Sequence, residues 1–200
     1  MQRIFLVLTR SRFPNPDDVR AYKVKFLPMD LPTGSGLELY ILRHGEAGRS
    51  LAPSTRDSRR PLTEDGRKEV SEVAESIASL KIRFDHIVSS PLSRAAETAL
   101  LVAKTAKPSV EVEFWDELKP EGDSKKFCSR LAKLGENSVV LAVGHEPYLT
   151  GLISEITGGP GARLVLKKSG LARISVSSFE PEFRGQLRWL LSPRILKRIS

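Results

Sequence analysis

Residue types that often form cross-links or reactive centres are scarce in this chain of 200 residues. There is one cysteine, Cys128, which excludes an intrachain disulfide and favours a reducing compartment. No apolar run approaches the roughly 20 residues that a membrane-spanning helix needs. We therefore expect a cytoplasmic protein with no membrane partner.

Positive charge is concentrated toward the carboxyl end. The net charge is +8, and residues 161–200 contain nine Lys and Arg against two Asp and Glu. Such a segment can attract acidic partners or nucleic acid. Aromatic residues are not interleaved with the basic ones, as single-strand binding would require. We therefore interpret the segment as a solvated basic surface and expect no nucleic-acid partner.

The chain divides into three parts by composition. Proline and glycine interrupt any periodic pattern in residues 1–36, which predicts a poorly ordered extension. Residues 37–192 alternate strand and helix patterns, and residues 193–200 form a basic tail. The length of the central part suits one domain with one sizeable core.

Strands and helices alternate along the central part. Thr63, Ser90 followed by Pro91, and Asp123 or Ser124 are predicted helix starts, and Pro147 opens a further helix. Strands are predicted at 37–42, 86–89, 110–114, 138–143, 163–166, 171–177 and 186–191, the last three as antiparallel neighbours. This order predicts an α/β layered domain with a mainly parallel central sheet flanked by helices.

Two of the three histidines come directly after predicted strands. His44 follows the first strand in Arg43-His44-Gly45, and His145 follows the strand at 138–143. Open α/β sheets bind their ligands at the carboxyl ends of the strands. His86 instead opens a strand, which places it at the opposite end of the sheet.

Arginines fall at the same edge as these two histidines. Arg43 precedes His44, and Arg94 lies in the first turn of the helix that follows the strand at 86–89. Arginine presents paired planar donors that match phosphate oxygens. Taken singly, these residues also fit a surface turn, a helix-surface charge or a structural loop histidine. Their joint placement at three strand ends indicates a site for a phosphoryl dianion.

Other phosphatase chemistries fit the sequence less well. A cysteine-based phosphatase needs an arginine six positions after the nucleophile, but Leu134 stands six positions after Cys128. No Asp-x-Asp occurs, so the aspartyl-nucleophile motif is absent. No group of His, Asp and Glu has a convincing metal-ligand spacing. We expect neither a cofactor nor a metal.

Five motifs in order resemble the histidine phosphatase superfamily, which includes the phosphoglycerate mutases, and more closely its SixA branch of protein-histidine phosphatases. They are LRHGEA at 42–47, RPLTEDGRKEV at 60–70, SSPLSRAAETA at 89–99, VGHEPYL at 143–149 and LRWLLSP at 187–193. The resemblance covers residues 37–192. It implies a phosphoglycerate mutase-like fold without a large cap insertion.

The resemblance also implies roles for individual residues. His44 matches the nucleophile that becomes phosphorylated, and His145 matches the second histidine, which hydrogen-bonds the phosphoryl group. Arg43 and Arg94 match the phosphate-binding arginines, and Arg60 matches a further basic residue of the pocket. A backbone carbonyl such as that of Gly45 would set the tautomer of the nucleophile.

Glu117 is the preferred candidate for a general acid, and the alternative is that it is a solvated loop carboxylate. Asp57 is a further residue that would orient Arg60 or a loop.

The expected activity is a metal-independent phosphatase that acts on protein phosphohistidine. The predicted domain lacks insertions that would enclose a metabolite. A nitrogen leaving group also needs less protonation by an enzyme acid than an ester oxygen does. Two alternatives stay open at this point. One is a small-molecule phosphomonoesterase that takes small phosphate esters, and the other is a non-catalytic phosphate-binding module.

Overall fold

A single mixed sheet organises the protein. The structure, a computed structural model, describes residues 36–48, 57–106, 109–159, 164–179 and 182–199. Apart from residue 36, the extension expected at 1–36 lies outside these described residues. No described helix is long and apolar enough to cross a membrane.

The sheet has six strands in the order β3-β2-β4-β1-β5-β6. The first four in that order run parallel to one another, and β5 and β6 are added antiparallel. The strands are β1 Glu38–Arg43, β2 His86–Ser89, β3 Val112–Phe114, β4 Val139–Gly144, β5 Leu171–Ser178 and β6 Arg184–Leu191. The predicted mainly parallel sheet is confirmed.

Helices cover both faces of the sheet, because each face carries its own apolar cluster. The helices are α1 Glu64–Ser79, α2 Ser93–Thr105, α3 Ser124–Leu131, α4 Tyr148–Thr157 and α5 Pro193–Leu196, with 3-10 turns at Asp116–Leu118 and Ala132–Leu134. One cluster contains side chains of α3 and α4, and the other contains side chains of α1, α2 and α5. Between β3 and β4 the chain forms only α3 and the two 3-10 turns, so this interval holds no large cap insertion.

Two of the predicted helix caps are present. The Thr63 hydroxyl accepts from the Gly66 backbone N–H at 3.0 Å, and an Asp123 carboxylate oxygen accepts from the Lys126 N–H at 3.1 Å. Each cap satisfies a backbone donor that the first helical turn leaves unpaired. These contacts fix where α1 and α3 begin.

Two local predictions were wrong, for reasons that the structure shows. The Ser90 N–H bonds to the Val143 carbonyl at 2.9 Å, so the backbone there continues the strand pairing and α2 begins only at Ser93. The described part of the strand predicted at 163–166 is irregular. There the Leu166 carbonyl accepts from the Arg43 side chain at 2.9 Å instead of from a neighbouring strand.

Part of the predicted basic tail packs against the domain. Leu196 of α5 is fully buried in the cluster beneath α1 and α2. The Lys197 ammonium lies 3.0 Å from the Glu72 carboxylate of α1. The described residues beyond 192 therefore cover one edge of the core.

Candidate active site

Strands β1 and β4 place the two predicted histidines side by side. They are parallel neighbours in which Arg43 pairs with Gly144, so His44 and His145 leave the sheet at the same level. Their ring centroids lie 4.9 Å apart with the planes tilted by 52°. Both are buried, at 6% and 1% exposure. The sheet thus brings together two residues that are far apart in the sequence.

The orientation of His44 is set by the backbone that follows it. Its Nδ1 lies 2.7 Å from the Gly45 carbonyl oxygen, which can only accept a hydrogen bond. Nδ1 therefore carries the proton in the neutral ring, and Nε2 keeps its lone pair. This is the tautomer expected from the sequence.

Gly45 is also packed tightly on its other sides. Its N–H donates to the Thr98 hydroxyl at 3.1 Å, and that hydroxyl donates to the Arg94 carbonyl at 2.7 Å. A Cβ at position 45 would lie 2.5 Å from a methyl group of Val70. The residue after His44 must therefore be glycine for helix α1 to pack this closely.

Burial and positive charge keep His44 neutral. Desolvation lowers the pKa of His44 to about 4, although the hydrogen bond to Gly45 opposes this shift. The charges of Arg94, Arg43 and Lys168 act in the same direction as desolvation and contribute to this lowered pKa. At neutral pH the ring is therefore unprotonated, as a nitrogen nucleophile requires.

His145 is neutral for similar reasons. Desolvation lowers its pKa to about 3, and the neighbouring His44 and Arg94 act in the same direction. Its Nε2 lies 2.9 Å from the Ser90 hydroxyl. Its Nδ1 is buried and has no hydrogen-bond partner among the described residues. Each arriving negative charge would favour protonation of this ring.

The two arginines are anchored by contacts on separate loops. An Arg43 Nη donates to the Leu166 carbonyl at 2.9 Å. Arg94, which is 4% exposed, donates to the Asp57 carbonyl at 3.0 Å and lies 3.3 Å from its carboxylate. Burial lowers the pKa of Arg94, and the Asp57 charge opposes this effect. A bound anion would offset the same burial penalty.

Arg60 holds the loop that follows His44. Its Nη donates to the carbonyls of Ala47 and Gly48 at 2.8 and 2.7 Å, and its Nε donates to the Asp57 carboxylate at 2.9 Å. Asp57 therefore joins Arg60 to Arg94. In its described contacts Arg60 acts on the wall of the site, and the sequence-based role as a phosphate ligand stays a prediction.

Glu117 forms an ion pair with Arg130. Its carboxylate lies 3.4 Å from an Nη of Arg130, whose guanidinium stacks over the Trp115 ring at 4.1 Å. The described contacts of Glu117 include neither histidine. A role as general acid stays a prediction and would require this ion pair to open.

Several residues at the site were not predicted as site residues from the sequence. Ser90 contacts His145 and Thr98 supports Gly45. Lys168 pairs with Glu46 at 2.5 Å and lies on the loop between the strands predicted at 163–166 and 171–177. Only Thr98 had a usable signal, since it lies one helical turn after Arg94 and so shares its face. Across the described ranges, no cluster of three or more His, Cys, Asp and Glu side chains could hold a metal ion.

Comparisons with known proteins identify the class. The profile of the histidine phosphatase superfamily (branch 1) matches residues 39–120. An uncharacterized protein of Picosynechococcus sp. is 32% identical over 165 residues, which cover 80% of this chain and 99% of that protein. The phosphohistidine phosphatase SixA of Escherichia coli is 28% identical over 163 residues, covering 80% and 97%. The chain belongs to the histidine phosphatase superfamily, in its SixA-type group, and it is a phosphatase.

Solved structures agree with this assignment. The protein histidine phosphatase SixA complexed with tungstate superposes with a TM-score of 0.68 at 27% identity, covering 80% of this chain and 99% of that one. A SixA from Agrobacterium tumefaciens, described as a phosphohistidine phosphatase, gives 0.63 at 28% identity, covering 78% and 97%. The phosphoglycerate mutase-like fold predicted from the motifs is therefore confirmed.

Proposed function

We propose that this phosphatase hydrolyses phosphohistidine on protein substrates through a transient phosphohistidine on His44. The observation that carries the proposal is the state of the His44 ring. It is neutral, its Nδ1 is tied to the Gly45 carbonyl, and its Nε2 is left as a nucleophile among cationic side chains. Simple anion binding needs the cations but has no use for an oriented, unprotonated imidazole.

In the first step, His44 Nε2 attacks phosphorus and the bond from phosphorus to the substrate nitrogen breaks. That nitrogen leaves with the bonding electron pair and becomes a neutral imidazole on taking up a proton from solvent. Arg43 and Arg94 stabilise the phosphoryl oxygens, and His145 donates to one of them. Positioning and charge complementarity of this kind supply most of the rate in phosphoryl transfer.

In the second step, a water molecule attacks the phosphorus on His44 and the nitrogen–phosphorus bond breaks. Phosphate leaves, the proton of the water passes to solvent or to a phosphate oxygen, and His44 returns to its neutral form. The same arginines hold the oxygens in both steps. The arginines and His145 provide the charge stabilisation, so we propose that no metal ion takes part.

Three observations support phosphohistidine as the substrate. The relatives that cover most of the chain include a phosphohistidine phosphatase. The chain between β3 and β4 forms no cap that would enclose a metabolite. Glu117, the preferred acid, is paired with Arg130. A nitrogen leaving group protonates readily and tolerates the lack of an acid better than an alkoxide does.

The test compares kcat/KM for three substrates in the presence of EDTA: a phosphohistidine peptide, an aryl phosphate and an alkyl phosphate. We expect the phosphohistidine peptide to be the best substrate and the aryl ester to be intermediate, because its leaving group is better than an alkoxide. EDTA should change none of the three values. Loss of activity that Mg²⁺ or Zn²⁺ restores would contradict the metal-free mechanism.

The variant Glu117→Gln supplies the control for substrate class. If Glu117 takes no part as an acid, the variant keeps kcat/KM for all three substrates within about twofold. If instead the alkyl ester is the best substrate and the variant loses that activity alone, the protein is a small-molecule phosphomonoesterase.

A further inference from the structure

A tight turn lies against the backbone of Arg43 and His44. The Gly170 N–H donates to the Lys167 carbonyl at 2.8 Å, which closes a turn with Lys168 and Ser169 at its centre. Ser169 is fully buried and has a φ of 55°, in the left-handed region that costs a non-glycine residue about 1 kcal/mol. Such strain persists where the surrounding contacts hold the backbone in place.

The contacts that hold this turn come from the strand end before the nucleophile. The Ser169 N–H lies 3.1 Å from the Arg43 carbonyl and 3.3 Å from the His44 carbonyl. The Arg43 N–H in turn donates to the Gly170 carbonyl at 3.1 Å. These hydrogen bonds hold the turn that carries Lys168 beside the backbone of His44.

The Lys168 side chain ends in an ion pair at the rim of the site. Its ammonium lies 2.5 Å from one carboxylate oxygen of Glu46, and the other oxygen accepts from the Gly48 N–H at 2.7 Å. The two side chains are 36% and 43% exposed, so solvent and substrate can reach them. The pair lowers the pKa of Glu46, chiefly through the hydrogen bond from Lys168. Glu46 is therefore an ionised carboxylate and not a proton donor at neutral pH.

We propose that Lys168 is a substrate-selecting residue of this site, a third cation beside Arg43 and Arg94 that favours doubly charged phosphoryl groups, and that Glu46 attenuates its charge. The proposal rests on the proposed role of His44. Its physical basis is that a cation held near the reacting group attracts a dianion about twice as strongly as a monoanion. The turn that carries Lys168 contacts the His44 carbonyl through the Ser169 N–H at 3.3 Å, and Glu46, the ion-pair partner of Lys168, follows His44 by two residues, so the pair lies close to His44. The charge of Lys168 is also the smallest of the contributions that lower the pKa of His44.

The alternative is that the pair only clamps the loop after His44. The two roles predict different directions of change for the two substitutions. If the pair is a clamp, Lys168→Gln and Glu46→Gln both weaken the site, because each breaks the same contact. If the charge itself matters, the two substitutions act in opposite directions. Exposed ion pairs add little to stability, so neither variant is expected to unfold the protein.

The first experiment measures the dissociation constants of tungstate, a tetrahedral dianion, and perrhenate, a monoanion of the same shape. We expect Lys168→Gln to weaken tungstate binding about fivefold and to lower the tungstate-to-perrhenate preference. Glu46→Gln should strengthen tungstate binding about twofold. Lys168→Arg should retain wild-type values. Lys167→Gln, which removes the exposed neighbour on the same turn, is the matched control and should stay within about twofold.

The second experiment follows the His44 ring signal by NMR as the pH is varied. Lys168→Gln should raise the pKa of His44 by about half a unit, and Glu46→Gln should lower it. Changes in the same direction for both variants, or an unchanged anion preference in Lys168→Gln, would overturn the proposal. If the wild-type protein bound neither anion, the proposed function would fail. In that case an unchanged His44 pKa in Lys168→Gln would overturn this inference separately.

Discussion

Histidines at the two ends of the parallel strands lie in different environments. At the carboxyl ends, His44 and His145 are at most 6% exposed and are surrounded by cations. At the amino end of β2, the His86 side chain is 32% exposed and its Nδ1 lies 4.0 Å from the Glu113 carboxylate. The role proposed for His44 requires burial, a fixed tautomer and positive surroundings together, and His86 at the other end of the sheet is neither buried nor close to a cation in its described contacts.

The largest difference should appear when the histidine at each end of the strands is replaced by alanine in turn. His44→Ala should reduce kcat below about 1% of wild type, because it removes the nitrogen that we propose as the acceptor of the phosphoryl group. His86→Ala should stay within about twofold. Phosphate release assays and trapping of an acid-labile phosphoprotein measure both effects. Residual activity of His44→Ala above that level would rule out the nucleophile role.

A second substitution tests Asp57, whose carboxylate pairs with both Arg94 and Arg60. Asp57→Asn removes the charge that pairs with Arg94 and Arg60, so we expect kcat/KM to fall about tenfold to a hundredfold while the fold is kept. Asp116→Asn is the control, since Asp116 is a 77% exposed carboxylate that also pairs with a basic side chain. Equal kcat/KM values in the two variants would show that Asp57 has no role in positioning the arginines.

A smaller effect should appear in stability as the pH falls. The folded pKa values of His44 and His145, about 4 and about 3, lie below the ordinary value of 6.5. The unfolded chain therefore binds protons below pH 6.5 that the folded protein does not, and stability is lost as the pH falls toward 4 and 3. Between pH 7.5 and 5 we expect each ring to lower the free energy of unfolding by about 1–2 kcal/mol.

Urea unfolding of wild type and His145→Gln at both pH values measures this effect. The variant lacks one of the two rings, so it should lose less stability than wild type between pH 7.5 and 5, whatever its stability at pH 7.5. Equal losses in the two proteins would mean that His145 is not held neutral by the fold.

Much of this site followed from local sequence pattern. An apolar strand that ends in Arg43-His44, and a second that ends in Gly144-His145, predict the catalytic edge because parallel strands end at the same level. Thr63 and Asp123 predicted their helix starts for a similar reason, since a cap acts within one turn. The strand predicted at 163–166 was wrong because its apolar alternation says nothing about the Arg43 side chain that binds the Leu166 carbonyl.

The sequence by itself therefore determined the order of strands and helices, the sheet edge at which the two histidines lie and the residue types available there. Tertiary structure alone decided which of those residues meet. Asp57 and Arg94 are 37 residues apart, His145 and Ser90 are 55 apart, and Glu46 and Lys168 are 122 apart. The pKa values follow from the same source, because burial and the summed field of distant charges exist only once the chain has folded.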